Sequence, residues 1–265
     1  MNSRSILALA VLCWALPAGA LLIRADRDDA EYLELASRYT SSVALEAPDG
    51  EGVLIAPRWV LTAAHRARAI QEMKPPASLK FAGRDHEIEA IHIHPDWKKV
   101  EANDIALVLL RKDVRGIEPT SIYRTADEAG KTVVIVGHGQ TGRIGEPPLQ
   151  KEKWDWKKRA AINTVDRVST RTLGLRIKPP EDASDLQGAT APGDSGGPAY
   201  LETAEGLLVA GINYATDDAN ADGIVGNVGD WDLYIRVSVF AGWIDATLLE
   251  VARRQADALL GEGRR

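Results

Sequence analysis

Three short segments carry side chains that together can do nucleophilic chemistry. Trp59-Val60-Leu61-Thr62-Ala63-Ala64-His65 ends on a histidine behind an apolar run. Asn103-Asp104-Ile105-Ala106-Leu107 opens a second apolar run on an aspartate. Pro192-Gly193-Asp194-Ser195-Gly196-Gly197-Pro198 surrounds a serine with small residues. A serine hydroxyl is a poor nucleophile at neutral pH, but a histidine within hydrogen-bond reach can take its proton and return it to the leaving group. A buried aspartate on the other ring nitrogen would hold the imidazole tautomer and stabilise the imidazolium. Singly, each segment has a plainer reading. His65 could be a core histidine, Asp104 the start of a strand, and Gly-Asp-Ser-Gly-Gly a tight turn. Their joint occurrence, in the order His, Asp, Ser, argues for chemistry.

The elements that must position them are short. Ser42–Leu45, Gly52–Ile55, Trp59–Leu61, Leu79–Phe81, Glu87–His94 and Ile105–Leu110 read as strands. Thr132–Val136, Leu207–Asn213 and Trp231–Val237 continue the pattern. Many short strands at this spacing indicate a sandwich or a pair of barrels rather than a βαβ fold. Glu31–Tyr39 reads as a short helical turn. Phe240, Trp243, Ile244, Leu248, Val251 and Leu259 recur at helical steps, with Ser238 as the expected cap and Gly261 past the end. The polar stretch Arg111–Gly130 is the expected boundary between two halves.

Composition bounds the function. The chain has 265 residues, a formal net charge of −6 and 45% hydrophobic residues, so it is long enough for a large core and too acidic for a general nucleic-acid binder. Residues 1–20 read as an export leader: Arg4, the apolar run Ile6–Leu16, then Pro17 and the small-residue site Ala18-Gly19-Ala20. Cleavage there puts Leu21 at the front and leaves a secreted or periplasmic chain with no stable membrane insertion. The competing reading is an uncleaved membrane anchor over residues 6–23. The single cysteine, Cys13, lies inside the leader, so the exported part must hold together by packing alone.

With these segments in this order, the sequence resembles the chymotrypsin-like (trypsin-like) serine proteases. Supporting matches are Ile55-Ala56-Pro57-Arg58, His94-Pro95-Asp96, Gly137-His138-Gly139 and the Leu233-Tyr234 strand leading to Trp243-Ile244. The absence of the family's cysteines points to a bacterial, cysteine-free branch. The resemblance implies an all-β fold: two packed six-stranded antiparallel β-barrels with a C-terminal helix, and the site in the cleft between them. The corresponding division is a first barrel over 21–120, a second over 121–237 and a docked helix over 238–261. It implies His65, Asp104 and Ser195 as the triad and the N–H groups of Gly193 and Ser195 as the oxyanion hole. It also implies an activating N-terminus that pairs with Asp194. Ile23 stands before His65 at about the usual interval, although Arg24-Ala25-Asp26 follows it where the family has Val-Gly-Gly.

The same resemblance places Ala189 at the base of the primary specificity pocket and Asn213-Tyr214-Ala215 on the edge that pairs with substrate backbone. Ala189 cannot attract a basic side chain. Asp232, on the strand behind that pocket, could. Strand alternation also allows Asp232 to face solvent and pair with Arg236, so basic and small or apolar preferences both stay open.

Other constellations are weaker. Asp218, Asn220 and Asp222 fit the opening of a calcium loop, but the position of the bidentate glutamate is Gly229, and an ordinary turn is the alternative. No cofactor is otherwise required. His92 and His94 alternate on one strand, without a third metal ligand in view. Lys151–Arg159 reads as a solvated basic loop. The expectation is an exported, monomeric serine endopeptidase acting on protein or peptide substrates through an acyl-enzyme. Its rivals are an esterase or amidase on the same triad and a latent protease-fold binding protein.

Overall fold

A computed structural model describes residues 21–46, 49–73, 78–81, 83–98, 101–146 and 155–262. The leader expected over 1–20 lies outside them, as do Pro48, Pro147, Pro148 and residues 151–154.

The described chain opens with β1 (Leu21–Ile23) and α1 (Asp29–Ala36). The helix starts where a capping box permits it. The Asp28 carboxylate accepts from Ala30 N at 2.9 Å, and Glu31 reaches back to Asp28 N at 3.2 Å. Six strands follow: β2 (Ser42–Glu46), β3 (Asp49–Ala56), β4 (Trp59–Thr62), β5 (Ser78–Phe81), β6 (Arg84–Ile93) and β7 (Ala106–Leu110). They close a barrel in the order β2-β3-β4-β7-β6-β5. Alternate residues face opposite ways. Val43, Leu54, Val60 and Val108 fill one cluster, while Val53, Leu61, Leu107 and Leu109 pack with Val134, Ile212 and Ile235 of the second half. Both faces are buried, which is why β7 (ALVLL) is apolar throughout. The helix α2 (Ala64–Glu72), which the strand pattern did not suggest, leaves the end of β4.

The backbone crosses between halves at 121–122: Thr120 N donates to Leu54 O and Tyr123 N to Val209 O. The second half holds β8 (Thr132–Gly137), β9 (Thr141–Arg143), β10 (Arg159–Thr164), β11 (Arg167–Val168) and β12 (Thr172–Arg176). It continues with β13 (Gly188–Ala189), β14 (Pro198–Thr203), β15 (Gly206–Asp217) and β16 (Trp231–Arg236). Here the hydrogen bonding departs from a closed six-stranded barrel. Seven strands form a curled sheet, β10-β8-β14-β15-β16-β12-β11, and β1 inserts between β13 and β9 in a separate three-stranded sheet.

The last element, α3 (Val237–Glu262), continues directly from β16. At 1.5 Å per residue it is about 39 Å long. Phe240 and Ile244 are buried at its docked end, and Leu259 and Leu260 are exposed at the other. Ser238 does not cap it. Its hydroxyl donates instead to Glu128 Oε1 at 2.6 Å, satisfying a buried carboxylate.

Candidate active site

His65 and Asp104 meet because their strands are neighbours. β4 pairs with β7 through Thr62 and Ala106, so the residues just past one strand and just ahead of the other share one end of the barrel. His65 N donates to Asp104 Oδ1 at 2.7 Å, and His65 Nδ1 lies 2.5 Å from Asp104 Oδ2. The aspartate side chain is 6% exposed and the imidazole 28%. A carboxylate against Nδ1 keeps the proton on that nitrogen and leaves Nε2 as the free base.

The serine loop alternates in burial: Gly193 and Ser195 are half-buried and Asp194 between them is buried. Gly193 has φ +103° and Gly196 φ +90°, a region that favours glycine. Asp194 Oδ1 accepts from Gly139 N at 2.8 Å and Oδ2 from Ala191 N at 2.9 Å. Burial, then the neighbouring Glu51 carboxylate, pushes the Asp194 pKa well up. The loop seats on the first barrel. Glu51 N donates to Ser195 O at 2.8 Å, and a Cβ on Gly196 would overlap Glu51 O and Thr62 Oγ1. Thr62 lies on β4, the strand that leads to His65.

Ile23 is the last residue of β1, buried and paired with Gly188 and Arg143. Leu21 is the residue beside Asp194. A Cβ on Gly137 would meet both the Asp194 carboxylate and, at 3.1 Å, Leu21 Cδ2.

The pocket residues are brought together. Ala189 is buried beside Leu22, Ile177 and Ala191. Asp232 is fully buried: Oδ1 accepts from Thr190 Oγ1 at 2.7 Å and Oδ2 from Thr190 N at 2.8 Å. Burial raises its pKa to about 6, against the lowering effect of those donors. It therefore does not face solvent, and Arg236 pairs with Glu128 at 2.7 Å instead. Asn213 is buried and its Nδ2 lies 3.3 Å from Thr190 Oγ1, while Tyr214 and Ala215 are half-buried on β15 at a register shift. Thr190 went unnoticed in the sequence. It is one threonine in a run of small residues, and only the fold shows that it holds the carboxylate.

The 218–223 segment is a loop held by its own hydrogen bonds. Asp218 accepts from Gly223 N at 2.8 Å, and Asp222 from Ile224 N at 2.8 Å. Asn220 Oδ1 accepts from Asp222 N at 3.0 Å. Each of the three side chains accepts at least one loop amide, and among the described residues no group of three or more His, Cys, Asp or Glu converges on a metal position. His92 lies tilted against Trp59, with ring centroids 5.6 Å apart, and His94 sits edge-on to Phe240 and Trp243. Arg159 is not part of a solvated loop: its guanidinium is buried against Asp29, at 2.5 and 2.6 Å, and Asp155.

A closed six-stranded barrel, a curled second sheet and a C-terminal helix define an all-β hydrolase scaffold of the chymotrypsin-like kind. The Trypsin family profile matches residues 32–244. Serine protease SP24D of Anopheles gambiae is 29% identical over 209 residues, covering 74% of this chain and 71% of its own. The solved structure of neuropsin, a serine protease expressed in the limbic system of mouse brain, superposes with a TM-score of 0.63 at 18% identity. That match covers 80% of this chain and 96% of neuropsin. The chain belongs to the trypsin family of serine endopeptidases.

Proposed function

We propose that the chain is an exported serine endopeptidase working through an acyl-enzyme on His65, Asp104 and Ser195. The observation that carries this reading is the two-point attachment of His65 to the buried Asp104, which fixes both ring orientation and tautomer. Ser195 Oγ attacks the scissile carbonyl as His65 Nε2 takes its proton. The Gly193 and Ser195 N–H groups receive the oxyanion, and the amine leaves with the proton from His65. Water, deprotonated by the same imidazole, then releases the acid and restores the serine. The enzyme acts as a monomer on protein substrates and requires no cofactor.

The activating terminus in this reading is Leu21. A leader cut after Ala20 would free the Leu21 ammonium beside Asp194, whose two carboxylate oxygens already accept Gly139 and Ala191 amides. Leu21 has φ +64°, a backbone state leucine rarely adopts. That torsion exists only while a residue precedes it, so the cut also removes the strain. Among the described residues no helix is long and apolar enough to cross a membrane.

For specificity, Asp232 supports a basic side chain at the primary site. It is a buried carboxylate held by Thr190, the residue that follows Ala189. Turnover of a peptide anilide panel by the Leu21 form, alongside matched esters and a Ser195→Ala control, tests the reading. Serine-dependent cleavage of peptides ending in Arg or Lys is expected. Ester turnover without peptide turnover would replace the peptidase with an esterase.

A further inference from the structure

Glu51 is a fully buried carboxylate that the chemistry above does not use, yet it touches the catalytic loop at several points. It sits on β3, in the first barrel. Its N–H donates to Ser195 O at 2.8 Å, and its carbonyl accepts from Thr62 Oγ1 at 2.6 Å. Its side chain crosses to the second half. Glu51 Oε1 accepts from His138 N at 2.5 Å, and His138 Nδ1 lies 3.0 and 2.9 Å from Oε1 and Oε2. His138 stands at the end of β8, next to Gly139, whose N–H donates to Asp194 Oδ1 at 2.8 Å. Gln140 N then donates to Pro192 O at 2.8 Å.

These bonds close a circuit. It runs from the Ser195 carbonyl through Glu51 to His138, along the backbone to Gly139, and through Asp194 back to Ser195. Gly193 and Ser195, the two amides required for an oxyanion, lie on the enclosed loop. The packing inside is tight: a Cβ on Gly197 would stand 2.8 Å from Asp194 O, 2.9 Å from Val136 O and 3.3 Å from Glu51 Cβ.

A buried carboxylate is retained at low cost only when its lone pairs are met. Glu51 meets this through two N–H donors of one residue. Desolvation raises its pKa well above the ordinary range and lowers that of His138 to about 3, so the imidazole is neutral. The other charged groups facing the pair are Asp194 and Lys158, and Lys158 Nζ is itself tied to Tyr39 O at 2.7 Å. The two side chains fit each other rather than a solvent or ligand position.

We propose that Glu51 and His138 are positioning residues that hold the Gly193–Ser195 loop with its amides directed at the reacting carbonyl. The inference rests on the peptidase reading and deepens it. Cutting the circuit should loosen the loop without touching His65, Asp104 or the specificity pocket, so the loss should fall on kcat. Removing one oxyanion donor typically costs about a hundred- to a thousandfold in turnover, and a loosened loop that still samples the right geometry should lose less.

The test compares Glu51→Ala, Glu51→Gln, His138→Ala and the Glu51→Ala/His138→Ala double variant, each checked for cooperative melting. The expected result is a kcat loss of about 30- to 100-fold for either alanine variant, with KM within about threefold. The double variant should be no worse than about twofold beyond the singles, because one interaction is lost only once. Glu51→Gln should restore kcat to within about fivefold, since an amide oxygen still accepts His138 N and its NH2 can face Nδ1 of the other tautomer. Three results would overturn the proposal: a folded Glu51→Ala enzyme with unchanged kcat, a loss confined to KM, or a glutamine variant as poor as alanine. Failure of the wild type to react with a fluorophosphonate or to turn over peptides would instead remove the peptidase reading beneath it.

Discussion

Within the first barrel, residues 42–110, the buried side chains are almost all apolar. Among the described residues the buried charged ones are Glu51 and Asp104, both at the cleft. The second half buries Glu128, Arg159, Asp194, Asp230 and Asp232. Each has assigned partners: Arg236 and Ser238 for Glu128, Asp29 and Asp155 for Arg159, the Gly139 and Ala191 amides for Asp194, the Ala219, Gly226 and Asn227 amides for Asp230, and Thr190 for Asp232. One half is therefore held by closed strand pairing and dispersion, and the other by a satisfied polar network around an open, curled sheet. No disulfide contributes, because the single cysteine is Cys13. The barrel supplies a rigid base for His65, while the second half supplies loops whose shape depends on charge being matched.

Asp104→Asn removes a charge from the rigid half. Turnover should fall by about 10⁴-fold because the tautomer is lost, while the melting temperature moves little. A drop in stability matching the loss of activity would show that Asp104 is structural. Next in size is Arg159→Ala. Stranding Asp29 and Asp155 should cost about 3–5 kcal/mol in urea unfolding. By contrast, Leu107→Met in the apolar half should cost less than about 1.5 kcal/mol. Equal costs would erase the distinction between the halves.

Asp232 offers a finer probe. With a pKa raised to about 6, its carboxyl is neutral below that pH and anionic above it. The kcat/KM ratio of an Arg substrate to a matched neutral one should rise between about pH 5 and 7, and the ratio cancels the titration of His65. Asp232→Asn should flatten it. A ratio that falls, or one unchanged in the asparagine variant, would remove Asp232 from specificity. The smallest expected effect is calcium's. The 218–223 carboxylates are already occupied by loop amides, so millimolar calcium or a chelator should shift melting by less than about 1 °C.

The cleft was legible where the sequence forces local geometry. Thr62-Ala63-Ala64-His65 and Asn103-Asp104 end and begin apolar runs, and pairing those runs brings the histidine and aspartate together. Gly193 and Gly196 announce a loop that needs positive φ. What was not legible depends on distant pairing. That Leu21 lies beside Asp194 depends on β1 pairing with β9 and β13, far along the chain. The short strands β9, β11 and β13 carry too few residues for a period to show. Arg159 looked solvated because its partner Asp29 lies at the far end of the chain. Glu51 read as one more strand residue, since nothing local reveals His138 across the cleft.

The most direct test of the central claim is covalent labelling of the folded Leu21 form with a fluorophosphonate, followed by mapping of the modified residue. Labelling at Ser195, abolished in Ser195→Ala and strongly slowed in His65→Ala, is the predicted result. It would establish a serine activated by the imidazole that Asp104 holds. A folded Leu21 form that stays unlabelled, or labels equally well without His65, would contradict the account.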